Sequence, residues 1–338
     1  MVFAGEMVGW EHILAMLSYS DTFRAYRKAM HRVLGTKTSF ARFNELQERL
    51  GDLVQHIRTW VLFSACLMTL TAYGYDISAD EADELVSLAN EFLENFSVTG
   101  MPELGLLIRF RFAVKHLPSW FPGAGFKSTA EKWRTTLLTT IEKPYHLVRV
   151  QMGRGTYPDP YLSSLLEEFR GRSLTVEEER VIKWTAGSLH TGGADTTVST
   201  LSTFFLDMAL HPYIQKRAQE ELDSLLGRST LPTFVDREKL PYINAVIKES
   251  LRWHPVAPIG IPHMYNDVEI NRAFTHDATI YPSPTTFNPS RFLSARLYTR
   301  QPPRPVKSYI RVRRRVCPGM ILAESTIFST IAKSLCCL

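Results

Sequence analysis

The sequence predicts a mainly α-helical protein, and three observations predict it. Apolar residues recur at helical spacing over long stretches, most clearly from Thr175 to Leu210. Start and stop signals fall at the ends of such stretches: the Thr175/Glu178 capping pair, His211-Pro212, Gly227, Pro241 and His254-Pro255. Prolines then crowd the segment after Pro255, so irregular chain is concentrated in one region.

Taken in order, Phe23-Arg24-Ala25-Tyr26-Arg27 sets an aromatic and an arginine one turn apart, the pattern of a basic amphipathic surface helix. The uncharged run Thr59 to Tyr75 contains Ser64, Thr69 and Thr71 and falls short of the ~20 predominantly apolar residues a bilayer span requires. It reads as a buried core helix. From Asp83 to Phe96, Leu85, Leu88, Phe92 and Phe96 share a face, with Glu84, Glu91 and Glu94 away from it.

Pro118, Pro122, Gly123 and Gly125 break the stretch Leu104 to Ser128 into an exposed, loop-rich region. Helical pattern resumes at Ala130, and Pro144 is expected to kink or end that helix. The helix from Thr175 to Leu210, if unbroken, is roughly 50 Å long at 1.5 Å per residue. Pro212 opens a shorter helix that stops at Gly227, Pro241 opens another that stops at His254-Pro255, and a last one runs from about Gly319 to Leu335. There is no internal repeat and no low-complexity tract.

At 338 residues, 45% hydrophobic and 22% charged, the chain can bury one large core or two ordinary ones and is too apolar for a disordered chain. Lys+Arg 39 against Asp+Glu 34 gives +5, which suits an acidic membrane surface or protein partner. It is no nucleic-acid signature without a dense basic stripe. Basic residues cluster once, in Arg311-Val312-Arg313-Arg314-Arg315. The four cysteines have neither zinc-ligand spacing nor the density of a disulfide scaffold. Cys66 reads as buried filler, and only Cys317, between arginines and a Pro-Gly, has a context that asks for chemistry. Met1-Val2-Phe3-Ala4-Gly5 lacks the basic start and long apolar stretch of a signal peptide.

Five local features carry chemistry. Gly192-Gly193-Ala194-Asp195-Thr196-Thr197 lies mid-helix, where each glycine costs about 1 kcal/mol relative to alanine. Such a patch lets a flat cofactor approach the helix and supplies a proton relay, or it marks a close helix–helix contact or a break; the pattern leaves these open. Glu249 and Arg252 share a helix face and can pair. Arg315-Val316-Cys317-Pro318-Gly319 sets a thiol before a helix N-terminus and beside arginines, both of which favour thiolate. Phe23/Arg27 is the fourth, and Phe287-Asn288-Pro289-Ser290-Arg291-Phe292, by itself a turn, is the fifth.

In this order the five features resemble the signature set of the cytochrome P450 family. The glycine patch matches the oxygen-binding helix motif, Glu249 and Arg252 match E-x-x-R, Pro289 to Phe292 match P-x-R-F, and Arg315 to Gly319 match the R-x-C-x-G end of the haem loop. Leu117-Pro118-Ser119-Trp120-Phe121-Pro122-Gly123, Leu240 to Ala245 and Ala273 to Asp277 add the flavour of fungal microsomal members. The resemblance covers nearly the whole chain. It implies a P450-like helical fold with a small β component, as one partial domain over residues 1–338.

The resemblance implies haem with Cys317 as thiolate ligand to the iron, Asp195 and Thr196 as the catalytic proton-delivery pair, and Gly192 and Gly193 lining the distal face. Arg27 and Arg315 would meet the haem propionates, Gly319 belongs to the same cofactor loop, and Glu249, Arg252 and Arg291 would form a structural ion-pair network behind it. The implied reaction inserts one oxygen atom into a small apolar substrate, with electrons from NADPH through NADPH-cytochrome P450 reductase. The implied location is the endoplasmic reticulum membrane, with no nucleic-acid partner.

The chain departs from the family pattern in three ways. Ile310 and Arg313 stand where the haem loop has an aromatic residue and a glycine, and a side chain disfavours the positive φ that glycine permits there. Only Val268-Glu269-Ile270 fills the place of strands that border the substrate cavity, so the β component is depleted. The chain is also expected to lack the membrane anchor, the first helix and strands, and the closing hairpin. Two alternatives follow: a truncated, non-catalytic derivative with weak or no haem binding, and a helical protein whose Arg311–Arg315 run binds nucleic acid. The second leaves the other motifs unexplained.

Overall fold

A computed structural model describes residues 2–52, 60–75, 83–99, 118, 120–155, 157, 160–228, 230–256, 275–293 and 316–337. Eleven α-helices occur among them: α1 Asp21–Leu34, α2 Lys37–Phe40, α3 Asn44–Asp52, α4 Trp60–Tyr73, α5 Glu84–Thr99, α6 Gly125–Gly153, α7 Tyr161–Glu167, α8 Val176–Leu210, α9 Pro212–Leu226, α10 Pro241–Trp253 and α11 Met320–Cys337. There is no strand among the described residues. The segment 268–270, expected to hold what remains of the sheet, lies outside them, as do Arg315, Arg313 and Ile310.

Contacts divide the chain into two compact units, Met1–Val33 with Ala65–Asp195, and Leu34–Ser64 with Thr196–Leu338. Helix α8 belongs to the first through Asp195 and to the second from Thr196.

The first unit is built around aromatic residues. Trp10 is buried and stacks near-parallel on Trp133 at 6.2 Å, with Phe96 at 5.1 Å and Phe92 edge-on at 6.2 Å. Trp10 thus joins Phe92 and Phe96 of α5 to Trp133 of α6 through aromatic contacts. Phe23, Tyr26, Ala29, Met30 and Val33 form the buried stripe of α1, which leaves Arg24 and Lys28 outside. Helix α4 buries Leu67, Met68, Thr69, Thr71, Ala72 and Tyr73, and it is a core helix as its sequence predicts. None of the helices among the described residues is long and apolar enough to cross a membrane.

Two details differ from the sequence reading. Helix α6 starts at Gly125 and runs through Pro144 to Gly153, although proline removes a hydrogen bond to the preceding turn. Leu137, Ile141, Tyr145 and Val148 are buried on either side of Pro144, so tertiary packing holds the helix across it. Glu91, expected to point away from the core, is half-buried and accepts a hydrogen bond from the Thr136 hydroxyl of α6 at 3.1 Å.

Helix α8 opens as predicted. Glu178 accepts from the Thr175 amide at 2.9 Å, and the Glu178 amide donates back to the Thr175 hydroxyl at 3.2 Å. The Arg172 guanidinium grips the same carboxylate at 2.6 and 2.9 Å and, ahead of the Thr175 hydrogen bonds, holds it down at about 2. The helix continues without a break to Leu210, where His211 and Pro212 end it and start α9.

In the second unit, Leu201, Phe204 and Met208 of α8, Ile214, Ala218 and Leu222 of α9, Ile243 and Val246 of α10, and Ile331, Ala332 and Leu335 of α11 are buried. The buried Lys333 ammonium of α11 donates to the Glu48 carbonyl of α3 at 2.9 Å.

Candidate haem-thiolate site

Within α8 the Gly-Gly-Ala-Asp-Thr-Thr patch divides between two faces. Gly192, Asp195 and Thr196, three and four residues apart, are exposed, whereas His190, Thr191, Ala194 and Thr197 are buried. The two glycines therefore serve different ends. A Cβ on Gly192 would meet no atom within 4 Å, but one on Gly193 would lie 2.0 Å from the Met68 sulfur of α4. Gly193 thus allows a close helix–helix approach, one of the readings its sequence left open, and Gly192 leaves open space on the face of Asp195 and Thr196.

Cys317 lies in the short turn before α11. Its sulfur is exposed and in no disulfide, its carbonyl accepts from the Met320 amide at 3.3 Å, and the helix follows at once. The sulfur is 3.9 Å from where a Cβ on Gly319 would lie, an ordinary contact. This donor set fits a haem iron: an accessible thiol ahead of a helix N-terminus, whose partial positive charge favours the thiolate.

The best-defined constellation is the ion-pair network. Arg252 binds Glu249 bidentately, Nε to Oε2 at 2.8 Å and Nη2 to Oε1 at 2.7 Å, and Arg291 Nε donates to the same carboxylate at 3.1 Å. The Asn288 amide adds a fourth donor at 2.8 Å. The remaining guanidinium N–H groups reach backbone carbonyls. Arg252 Nη1 donates to Thr275 at 2.8 Å and Pro284 at 2.9 Å; Arg291 donates to Pro282 at 2.9 Å and Thr286 at 3.0 Å. All three side chains are almost fully buried, which is tolerable only because each charge is paired and hydrogen-bonded. The network ties the folded-back segment 275–293 to α10.

Of the predicted site residues, the structure brings Glu249, Arg252 and Arg291 into contact. Arg27, Gly192, Gly193 and Asp195 belong to the first unit; Thr196, Cys317 and Gly319 belong to the second. Arg27 is half-buried one turn beyond the buried Phe23.

A sequence model of the cytochrome P450 family matches residues 15–336. The chain belongs to the cytochrome P450 family. It is 37% identical to cytochrome P450 monooxygenase CLM2 of Gibberella zeae, over 98% of this chain and 67% of that protein. It is 35% identical to cytochrome P450 monooxygenase claR of Ampulloclitocybe clavipes, over 98% and 65%. To O-methylsterigmatocystin oxidoreductase of Aspergillus flavus it is 32% identical, over 98% and 67%. The chain spans about two thirds of the length of these fungal relatives. A zebrafish cytochrome P450 solved with abiraterone shares the fold, with a TM-score of 0.71 and 21% identity over 99% of this chain and 79% of that one. The relatives named here are enzymes, and none supports a non-catalytic derivative.

Two residues of this P450 escaped the sequence reading. His190 and Asp207 are buried titratable groups on α8, 1% and 2% exposed. The signal available was a His and an Asp set among apolar residues of a largely buried helix.

Proposed function

We propose that this P450 is a haem-thiolate monooxygenase that inserts one oxygen atom into a small apolar substrate. The observation that carries the reading is Cys317: a disulfide-free, exposed sulfur immediately before α11, in a chain whose family match runs through it. Haem, when bound, supplies the oxygen-activating chemistry, and a thiolate ligand pushes electron density toward O–O cleavage.

The chain's own residues do the rest. Cys317 Sγ would hold the iron, with Gly319 in the same loop. Gly192 leaves room against α8, and Asp195 and Thr196 hold and pass protons at their carboxylate and hydroxyl oxygens. By family resemblance, Arg27 and Arg315 would pair with the haem propionates. The Glu249–Arg252–Arg291 network stiffens the segment preceding the thiolate loop. Family resemblance supplies the electron donor, NADPH-cytochrome P450 reductase, and the endoplasmic reticulum surface as the place of work. The net charge of +5 suits an acidic partner or membrane face.

The test is the absorption spectrum of the reduced, carbon-monoxide-bound protein. A Soret band at the thiolate position supports the reading, and Cys317→Ala should abolish it. Absence of haem uptake, or a band of the imidazole-ligated type, would overturn it.

A further inference from the structure

The patch Gly192 to Thr197 is a poor helix by composition, since glycine has low helix propensity and Asp and Thr compete for backbone hydrogen bonds. It nevertheless stays helical in the middle of a 35-residue element. Two contacts from α4, both inside the first unit, brace it. One is the seat of Met68 on Gly193. The other is a hydrogen bond at 3.0 Å between the Thr69 hydroxyl and His190 Nε2, with Tyr73 edge-on to the imidazole at 5.4 Å. Thr69, His190 and Tyr73 are all at most 1% exposed.

An apolar contact tolerates sliding, whereas a buried hydrogen bond between two side chains fixes register. His190 is suited to this, because burial pushes it down to about 4 and it stays neutral under ordinary conditions. Among the described residues its Nδ1 has no hydrogen-bond partner, and Thr69 is the polar contact of the ring. Removing that hydroxyl leaves a buried imidazole unsatisfied, a penalty localised just before the patch.

We propose that Thr69 and His190 are positioning residues for the Asp195–Thr196 pair, acting through the register of α8. The proposal rests on the reading of Asp195 and Thr196 as the proton-handling pair. Thr69 and His190 touch no substrate. They set where the outward-facing pair points by fixing the inward-facing side of α8 about one and a half turns before it.

The experiment compares Thr69→Val, which keeps shape and removes the hydroxyl, with Thr69→Ser, which keeps the hydroxyl, in the full chain. Amide hydrogen exchange is read by mass spectrometry. In T69V, amides 191–197 should exchange about tenfold faster while 176–186 are unchanged, and T69S should restore the wild-type rate. His190→Phe should give the same local pattern. Uniform acceleration along all of α8, or no change, overturns the brace. In haem-loaded protein coupled to reductase, the share of NADPH electrons released as hydrogen peroxide should rise in T69V and return in T69S. An unchanged share alongside faster local exchange overturns the positioning role. Failure of the wild type to take up haem defeats the functional reading alone, and the exchange measurement still decides the brace.

Discussion

Met68 of α4 occupies the space that a side chain at Gly193 of α8 would need, its sulfur 2.0 Å from the position of the missing Cβ. Met68 is 1% exposed and has little room to withdraw. Gly193→Ala should therefore destabilise the fold, since overpacking costs about 1–3 kcal/mol against a helix-propensity gain of about 1 kcal/mol. Gly192→Ala, facing open space, should be neutral or stabilising by up to about 1 kcal/mol. Adding Met68→Ala to Gly193→Ala should lose less than the sum of the single changes. Urea unfolding measures all four variants, and additive losses would show that the two residues do not compete for space.

The network yields a second expectation. Arg252→Met leaves the Glu249 carboxylate buried with only part of its complement, and breaking a buried pair in this way costs about 3–5 kcal/mol. Arg252→Lys should not rescue it. An ammonium cannot hold both Glu249 oxygens and the Thr275 and Pro284 carbonyls in one plane. Limited proteolysis should then cut within 275–293 faster than elsewhere. Wild-type resistance in either variant would deny the network its role in fastening that segment.

Two buried groups set opposing pH dependences. Asp207 is pushed up to about 6, mainly by burial, with the Ser250 hydroxyl opposing and the Glu249 carboxylate adding to the rise. An acid raised above its unfolded value binds more protons when folded. Its contribution is complete at low pH and disappears as pH rises through about 6. His190, pushed down to about 4 by burial, does the reverse. Its contribution is complete above 6.5 and is lost as pH falls through about 4. Asp207→Asn should thus raise stability at neutral pH and leave His190 unopposed. Stability should then climb more steeply with pH between about 4 and 6.5. Denaturation midpoints across that range decide it, and a slope equal to that of the wild type would contradict the assignment.

Cys317 and Cys336 are both exposed and in no disulfide, which provides an internal control. Iodoacetamide should alkylate both in haem-free protein. After haem incorporation Cys317 should be shielded while Cys336 still reacts, as read peptide by peptide in a mass spectrometer. Equal labelling of the two in the haem-loaded protein would argue against Cys317 as the ligand.

Much of this was legible in the residues. Thr175, Glu178, His211 and Pro212 delimited α8 because capping and proline effects act over a single turn. Pro144 misled, since its local cost is outweighed by Leu137, Ile141, Tyr145 and Val148, whose burial no local pattern reveals. The different duties of Gly192 and Gly193 were hidden because the deciding neighbour, Met68, is remote in sequence. The Glu249–Arg252 pair looked ordinary because its strength comes from Arg291, the Asn288 amide and distant carbonyls. The Arg311–Arg315 run lies outside the described residues, so its reading rests on sequence alone.

The arginines of the network contact the segment 275–293 through main-chain oxygens of Thr275, Pro282, Ser283, Pro284 and Thr286. Apart from Tyr281, whose ring lies under the Arg252 guanidinium at 5.4 Å, they recognise the path of the chain rather than the side chains along it. Exposed positions there are consequently free to drift during evolution, provided the backbone still curls the same way, whereas Arg291 and the buried Tyr281 and Phe287 are held by their own contacts. Ser283 is constrained in another way: its φ of 49° lies in the left-handed region, where glycine, asparagine and aspartate are the residues best able to replace it. A library randomised across 278–286 should therefore return folded clones with varied chemistry at the exposed sites and a narrow alphabet at Tyr281 and Ser283.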